Sequence, residues 1–194
     1  MTIVSPIDQR RALRAIDVKP ISQEILLRLA QAAHFAPSCA NAQPWRLITV
    51  VDSLRLQELK SALTPGNYWA KNSPAITAFV ADLEWDARMD GGRDYAFFDL
   101  GQAAMNYQVQ ATSEGLIAHP IAGFDQVAAK RALCVPQTAV LMTLVVLGFP
   151  GDTSHLNERH QAAEKSPRVR KPLEDVFSFD TWEQRLEPPA KTKN

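Results

Sequence analysis

Side chains able to do chemistry fall in three places along this chain. Arg10, Arg11 and Arg14 stand close together near one end, and Arg168 and Arg170 stand two apart near the other. Guanidinium groups hold phosphates and carboxylates through planar, charge-assisted bonds, so each group reads either as an anion clamp or as a solvated basic face. The third place is Pro37-Ser38-Cys39-Ala40-Asn41-Ala42-Gln43-Pro44-Trp45, a stretch without a charged residue. Its two prolines exclude a continuous helix. Ser38, Asn41 and Gln43 can bond either to a ligand or to nearby backbone, so local chemistry allows both a simple connector and a binding loop.

Other chemistries find no support. There is no GxGxxG after a strand, no GxxxxGK[ST] and no GxSxG, which removes the dinucleotide fingerprint and the P-loop and weakens a hydrolase reading. His34, His119, His155 and His160 are scattered, and Cys39 and Cys134 have no metal-ligand spacing, so no metal site is expected. Cys39 has no His or basic neighbour in sequence to make it a reactive thiol and reads as a small packing residue. Asp82, Glu84, Asp86 and Asp90 are interleaved with Arg88 and Arg93, the pattern of an exposed mixed-charge loop rather than of a hard-metal loop. Lys plus Arg and Asp plus Glu are each 21, so no net field favours nucleic acid or an anionic membrane. No apolar run approaches the roughly 20 residues that span a bilayer. Residues 1–6 show no charged leader followed by an apolar core, so no secretion signal is expected and a reducing, cytoplasmic setting fits best.

The elements that must position these residues follow from pattern. Hydrophobic residues make up 46% of 194, enough for one well-buried domain. Ser5-Pro6-Ile7-Asp8 reads as a helix start capped by Ser5, running to about residue 16 and placing Arg10 and Arg14 on one face. Ser22 caps a second helix with an apolar stripe at Ile25, Leu26, Leu29, Ala32 and Ala33. Residues 47–51 read as a strand buried on both faces. A helix from Ser53 stops at Pro65-Gly66, and residues 75–81 form a second strand. The longest helix spans residues 95–114, is apolar around most of its circumference, and ends at Gly115 in a left-handed cap. Residues 116–124 read as a strand interrupted by Pro120, Asp125 caps a helix to Leu133, and residues 139–147 form another strand. From 151 the composition turns polar, a surface arm that ends in the aromatic stretch Val176, Phe177, Phe179 and Trp182. Such a tail suggests docking on a partner subunit.

Taken in order, Arg10-Arg11-Ala12-Leu13-Arg14, Pro-Ser-x-x-Asn-x-Gln-Pro-Trp at 37–45, His119-Pro120-Ile121-Ala122-Gly123-Phe124-Asp125, Leu147-Gly148-Phe149-Pro150 and Arg168-Val169-Arg170 resemble the nitroreductase family of flavin-dependent oxidoreductases. The resemblance runs from about Arg10 to Trp182. It implies an α+β fold with a mixed central sheet flanked by helices, forming one domain over 1–194 whose arm, about 151–194, docks on the other subunit of an intertwined homodimer. It implies bound FMN, with NADH or NADPH as electron donor and a small-molecule acceptor such as a nitroaromatic or quinone. Arg10, Arg11 and Arg14 with Arg168 and Arg170 would then meet the phosphate and ribityl chain. Asn67 and Lys71 would address the pyrimidine edge of the ring. Pro120, Ile121, Ala122 and Gly123 would lie along it, and Pro37, Ser38, Cys39 and Asn41 would complete the partner's site. No side chain need act as nucleophile or general base, because the flavin carries the chemistry. The chain departs from the family at Ala12, where Ser is usual, and modestly at Cys39. Within the superfamily, reductive dehalogenation or enone reduction is an alternative activity, and a flavin-binding protein without turnover is another.

Overall fold

Strand β2, Ala75–Ala81, is buried at every residue and lies inside a four-stranded sheet. The computed structural model describes residues 3–86 and 88–188, which fall into two compact units, Met1–Glu164 and Lys165–Asn194. In the first unit β1 (Trp45–Val50), β2, β6 (Val140–Gly148) and β5 (Ile117–Ile121) pair in that order. Side chains of β2 alternate between two cores: Ile76, Ala78 and Val80 face one, Ala75, Phe79 and Ala81 the other, as strand geometry requires. On the first face lie α3 (Ser53–Ser61) and α5 (Gln126–Ala132), and on the second α2 (Gln23–His34) and α4 (Tyr95–Ser113). The α+β architecture and the flanking helices are as expected. The sheet, however, is antiparallel at every pairing rather than mixed, because β6 lies between β2 and β5, which run in the same direction and do not pair with each other.

Where local signals are strong, the elements form as read. The Ser22 hydroxyl accepts from the Ile25 N–H at 3.3 Å at the start of α2, and the Asp125 carboxylate accepts from Ala128 at 3.0 Å at the start of α5. Gly115 closes α4 with φ +74°. Other readings need correction. The first helix, α1, is only Ser5–Gln9, with Val4 rather than Ser5 at its cap. Beyond it the backbone finds tertiary partners in place of helical ones: the N–H groups of Arg14 and Ala15 donate to the Glu164 carboxylate at 2.9 and 3.2 Å, and Asp17 donates to the Phe149 carbonyl at 2.9 Å. Arg10 and Arg14 therefore sit on an irregular segment, not on one helical face. Strand β1 is only partly buried, since it lies at the sheet edge, and Val51 beyond it is 55% exposed. Residues 151–167 are not a plain arm: Leu156 is buried, and α6 (Glu158–Lys165) follows it.

The central helix is buried along one side only. Ala96, Asp99, Leu100, Ala103, Tyr107 and Ala111 are covered, whereas Phe98 is 57% and Met105 37% exposed. A short hairpin, β3 (Arg88–Met89) with β4 (Arg93–Asp94), precedes the helix. The second unit holds two short 3-10 turns, Leu173–Asp175 and Gln184–Leu186. In it Phe177 and Phe179 meet edge to face with ring centres 4.9 Å apart, and Arg185 bonds to Glu183 and to the Glu174 carbonyl. Val176, Phe179 and Trp182 stay exposed.

Candidate functional site

Three of the sequence-selected groups converge in the first unit. The irregular arginine segment is held from both sides. Gly151 donates to Ala15 at 2.8 Å after the end of β6, and Glu164 accepts from the N–H groups of Arg14 and Ala15. Arg11 turns away to the last turn of α6, donating to the carbonyls of Ala163 and Glu164 at 3.3 and 3.4 Å, where a cation suits the negative end of a helix. Arg14 instead lies over the Trp69 ring, its guanidinium carbon 5.9 Å from the ring centre, within cation–π range. Trp69 belongs to the 3-10 segment Pro65–Asn72, which also carries Asn67. The Asn67 amide donates to the Gly123 carbonyl at 2.8 Å, and the Thr64 hydroxyl and N–H donate to the same oxygen at 2.9 and 3.0 Å. A side chain on Gly123 would lie 2.6 Å from Thr64 Oγ1 and 2.7 Å from Asn67 Nδ2, so it would have to displace both donors. Pro120 and Ala122 are exposed beside it and Ile121 is buried.

His119, which heads the motif at 119–125 but is not among the expected site residues, ties this cluster together. Its Nδ1 lies 2.9 Å from the Leu13 carbonyl. Since a carbonyl only accepts, Nδ1 carries the proton and Nε2 keeps its lone pair. The imidazole lies 4.6 Å from the Trp69 ring. Burial pushes its pKa down to about 4, and the nearby Arg14, Arg10 and His160 add to the shift against the opposing Leu13 bond. His160 on α6 stacks on Tyr68 at 5.5 Å, with its Nδ1 3.1 Å from the tyrosine oxygen. Burial, with Arg14 and Arg159, holds its pKa below the usual value too. The segment thus offers half-buried guanidinium groups, donors suited to an anionic ligand, with neutral imidazoles beside them.

The remaining groups lie elsewhere. Pro37, Ser38, Cys39 and Asn41 belong to the layer of α2 and α4, on the other face of the sheet. Their loop is tightly knit: the Gln43 N–H donates to Ser38 Oγ at 3.0 Å, the Gln43 amide donates to Asn41 Oδ1 at 3.0 Å, and Cys39 donates to Asp99 at 2.8 Å. Ala40, Asn41 and Gln43 all have left-handed backbone, with φ of 47°, 60° and 50°. Asn tolerates that region, but Ala and Gln cost about 1–2 kcal/mol each there. Strain of this kind persists only where its surroundings over-determine it. Lys71 is exposed and, with Lys60, Ser53, Leu56, Gln57 and Ser61, lines a groove of about 510 Å³. Arg168 and Arg170 belong to the second unit, where Arg170 donates to the Val169 carbonyl at 2.7 Å. Among the described residues no group of His, Cys, Asp and Glu could hold a metal ion.

The model of the nitroreductase family matches residues 7–67 and 55–149. The chain belongs to this family. A NADH dehydrogenase of Thermus thermophilus is 27% identical over 182 residues, covering 78% of this chain and 88% of that protein. An uncharacterized 15.4 kDa protein of Mycolicibacterium smegmatis is 36% identical over 124 residues, 64% of this chain and 82% of its own length. A crystal structure described as an oxidoreductase containing FMN matches with a TM-score of 0.84 at 29% identity, over 94% of both chains.

Proposed function

We propose that the chain is an FMN-dependent NAD(P)H oxidoreductase that reduces nitroaromatics, quinones or similar acceptors by a ping-pong exchange of two electrons. The observation that carries the reading is the convergence of the arginine segment, the Asn67–Gly123 contact and the end of β5 around His119. When bound, FMN would supply the redox chemistry, a two-electron exchange between the nicotinamide and the acceptor. The chain binds and orients. Arg10 and Arg14 take the phosphate and ribityl end, with Arg168 and Arg170 proposed for the same set on charge. Asn67 and Gly123 fix the turn against which the ring lies, with Pro120, Ile121 and Ala122 alongside, and Lys71 is proposed for its pyrimidine edge. Arg11 supports this site by docking the segment on α6.

Pro37, Ser38, Cys39 and Asn41 are proposed to serve the site of a second copy in a homodimer. Two observations support this: their loop lies on the sheet face opposite the arginine segment, and Phe98 and Met105, seven residues apart on one side of α4, are exposed. The aromatic tail of the second unit is proposed to dock on that copy. Among the described residues no helix is long and apolar enough to cross a membrane.

The test is direct. The purified protein should absorb as a flavoprotein, and added FMN should raise the melting temperature of flavin-free protein. Anaerobic NADH or NADPH should bleach the flavin, and a quinone should restore it. A colourless protein whose melting temperature ignores FMN refutes the reading, and flavin that neither nicotinamide bleaches leaves only a carrier.

A further inference from the structure

Asp99 has no part in the site as described, yet it is wholly buried in the first half of α4. The burial of a carboxyl group placed there is costly unless hydrogen-bond donors reach it. Two do. Oδ2 accepts from the Cys39 N–H at 2.8 Å, and Oδ1 accepts from the Gln102 side chain at 3.1 Å. The first bond spans 60 residues of sequence. Among the described residues, the other hydrogen bonds of the loop are local: Ser38 with Gln43, Asn41 with Gln43, Arg46 with the Gln43 carbonyl. Asp99 is thus the point at which the loop is fastened to the rigid helical layer, immediately before the left-handed pair Ala40 and Asn41.

We infer that Asp99 is a positioning residue for the flavin loop. By holding the Cys39 amide it presets the strained turn and so places Ser38, Cys39 and Asn41 before any ligand arrives. A loop ordered in advance spends less binding energy on ordering when the ligand binds. This inference rests on the reading of the loop as flavin-facing.

Two measurements test it. In flavin-free wild-type protein the Cys39 amide should exchange with solvent about a hundredfold or more slower than an exposed amide, and FMN should leave that protection unchanged. Free exchange that slows only when FMN is added overturns the inference, whatever any variant does. Titration of flavin-free protein with FMN, read by quenching of flavin fluorescence, should then separate two variants. Asp99→Leu removes the acceptor and should weaken binding about tenfold or more. Asp99→Asn keeps an oxygen for Cys39, with the Gln102 amide free to turn, and should stay within about threefold of wild type. An Arg10→Ala arm distinguishes the two levels of the argument. If Arg10→Ala weakens FMN and Asp99→Leu does not, the flavin reading stands and the positioning role falls. If wild type binds no FMN, the flavin reading falls, and amide exchange alone decides whether Asp99 orders the loop. Should Asp99→Leu fail to fold, the wild-type exchange measurement decides in the same way.

Discussion

Gly151→Ala alters no residue proposed to touch a ligand, yet it should loosen the site. Its added carbon would lie 2.6 Å from the Asp17 nitrogen and 2.9 Å from the Ile16 carbonyl carbon. Both are backbone atoms and cannot swing aside as a side chain can. Relief requires residues 15–17 to move from the end of β6, which stretches the bonds Gly151 to Ala15 at 2.8 Å and Asp17 to Phe149 at 2.9 Å. Two backbone bonds at about 1 kcal/mol each, with overpacking of about 1–2 kcal/mol, give a loss of about 3–4 kcal/mol. For a chain of this size that lowers the melting temperature by roughly 6–16 °C. The displaced segment carries Arg10 and Arg14, so FMN affinity should fall as well. Thermal unfolding with and without FMN reads both effects. A melting temperature within 1 °C of wild type, with unchanged flavin binding, would refute the placement of the segment.

Cys134 stands at φ +54° just after α5, where the Val135 N–H reaches back to the Lys130 carbonyl at 2.9 Å. Cys134→Gly should stabilise the protein by about 1 kcal/mol by removing left-handed strain at a cap position that favours glycine, as denaturant unfolding can measure. Hydrogen bonding to Arg28 is the main reason the Glu114 carboxyl is held down to about 2, against an ordinary value of 4.5. A depressed carboxyl stabilises the fold above its unfolded value. The advantage of wild type over Glu114→Gln should therefore be full above pH 4.5 and vanish as pH falls towards 2; a gap independent of pH would contradict the pairing. His119 is kept neutral, with its pKa down to about 4 from 6.5, so the unfolded chain binds its proton first. Stability should fall as pH drops from 6.5 to 4, and His119→Asn, which keeps a donor for Leu13, should flatten that slope. Identical slopes for the two proteins would show that His119 titrates normally.

What the sequence revealed depended on where each element's partners lie. Helix α2 has its cap, stripe and Pro37 stop within sixteen residues, and β2 is bounded by polar neighbours, so both were legible. Residues 10–16 look helical from local chemistry because the carboxylate that claims the Arg14 and Ala15 N–H groups belongs to Glu164. Helix α6 was missed because it is almost wholly polar and has no buried residue of its own. The apolar run of β1 suggested burial on both faces, but composition does not mark a sheet edge. Within the site, the arginine clusters stood out by type, whereas Asn67 and Gly123 came from the family resemblance, and the structure joins Asn67 to Gly123 directly. His119 and Asp99 did not stand out. The available signal at Asp99 was a carboxylate on the apolar side of a helix, flanked by Ala96, Leu100 and Ala103, where a polar residue is costly without a partner.

The long reach from residues 14 and 15 to residue 164 also sets the order in which the protein can be finished on the ribosome. At about 5–20 residues per second, roughly 8–30 s pass between synthesis of the arginine segment and synthesis of the glutamate that holds its backbone. Through that interval those N–H groups have no native acceptor at Glu164, while the strands and α4 between them can already assemble. The arginine segment, made early, is therefore locked late, after the sheet it docks against.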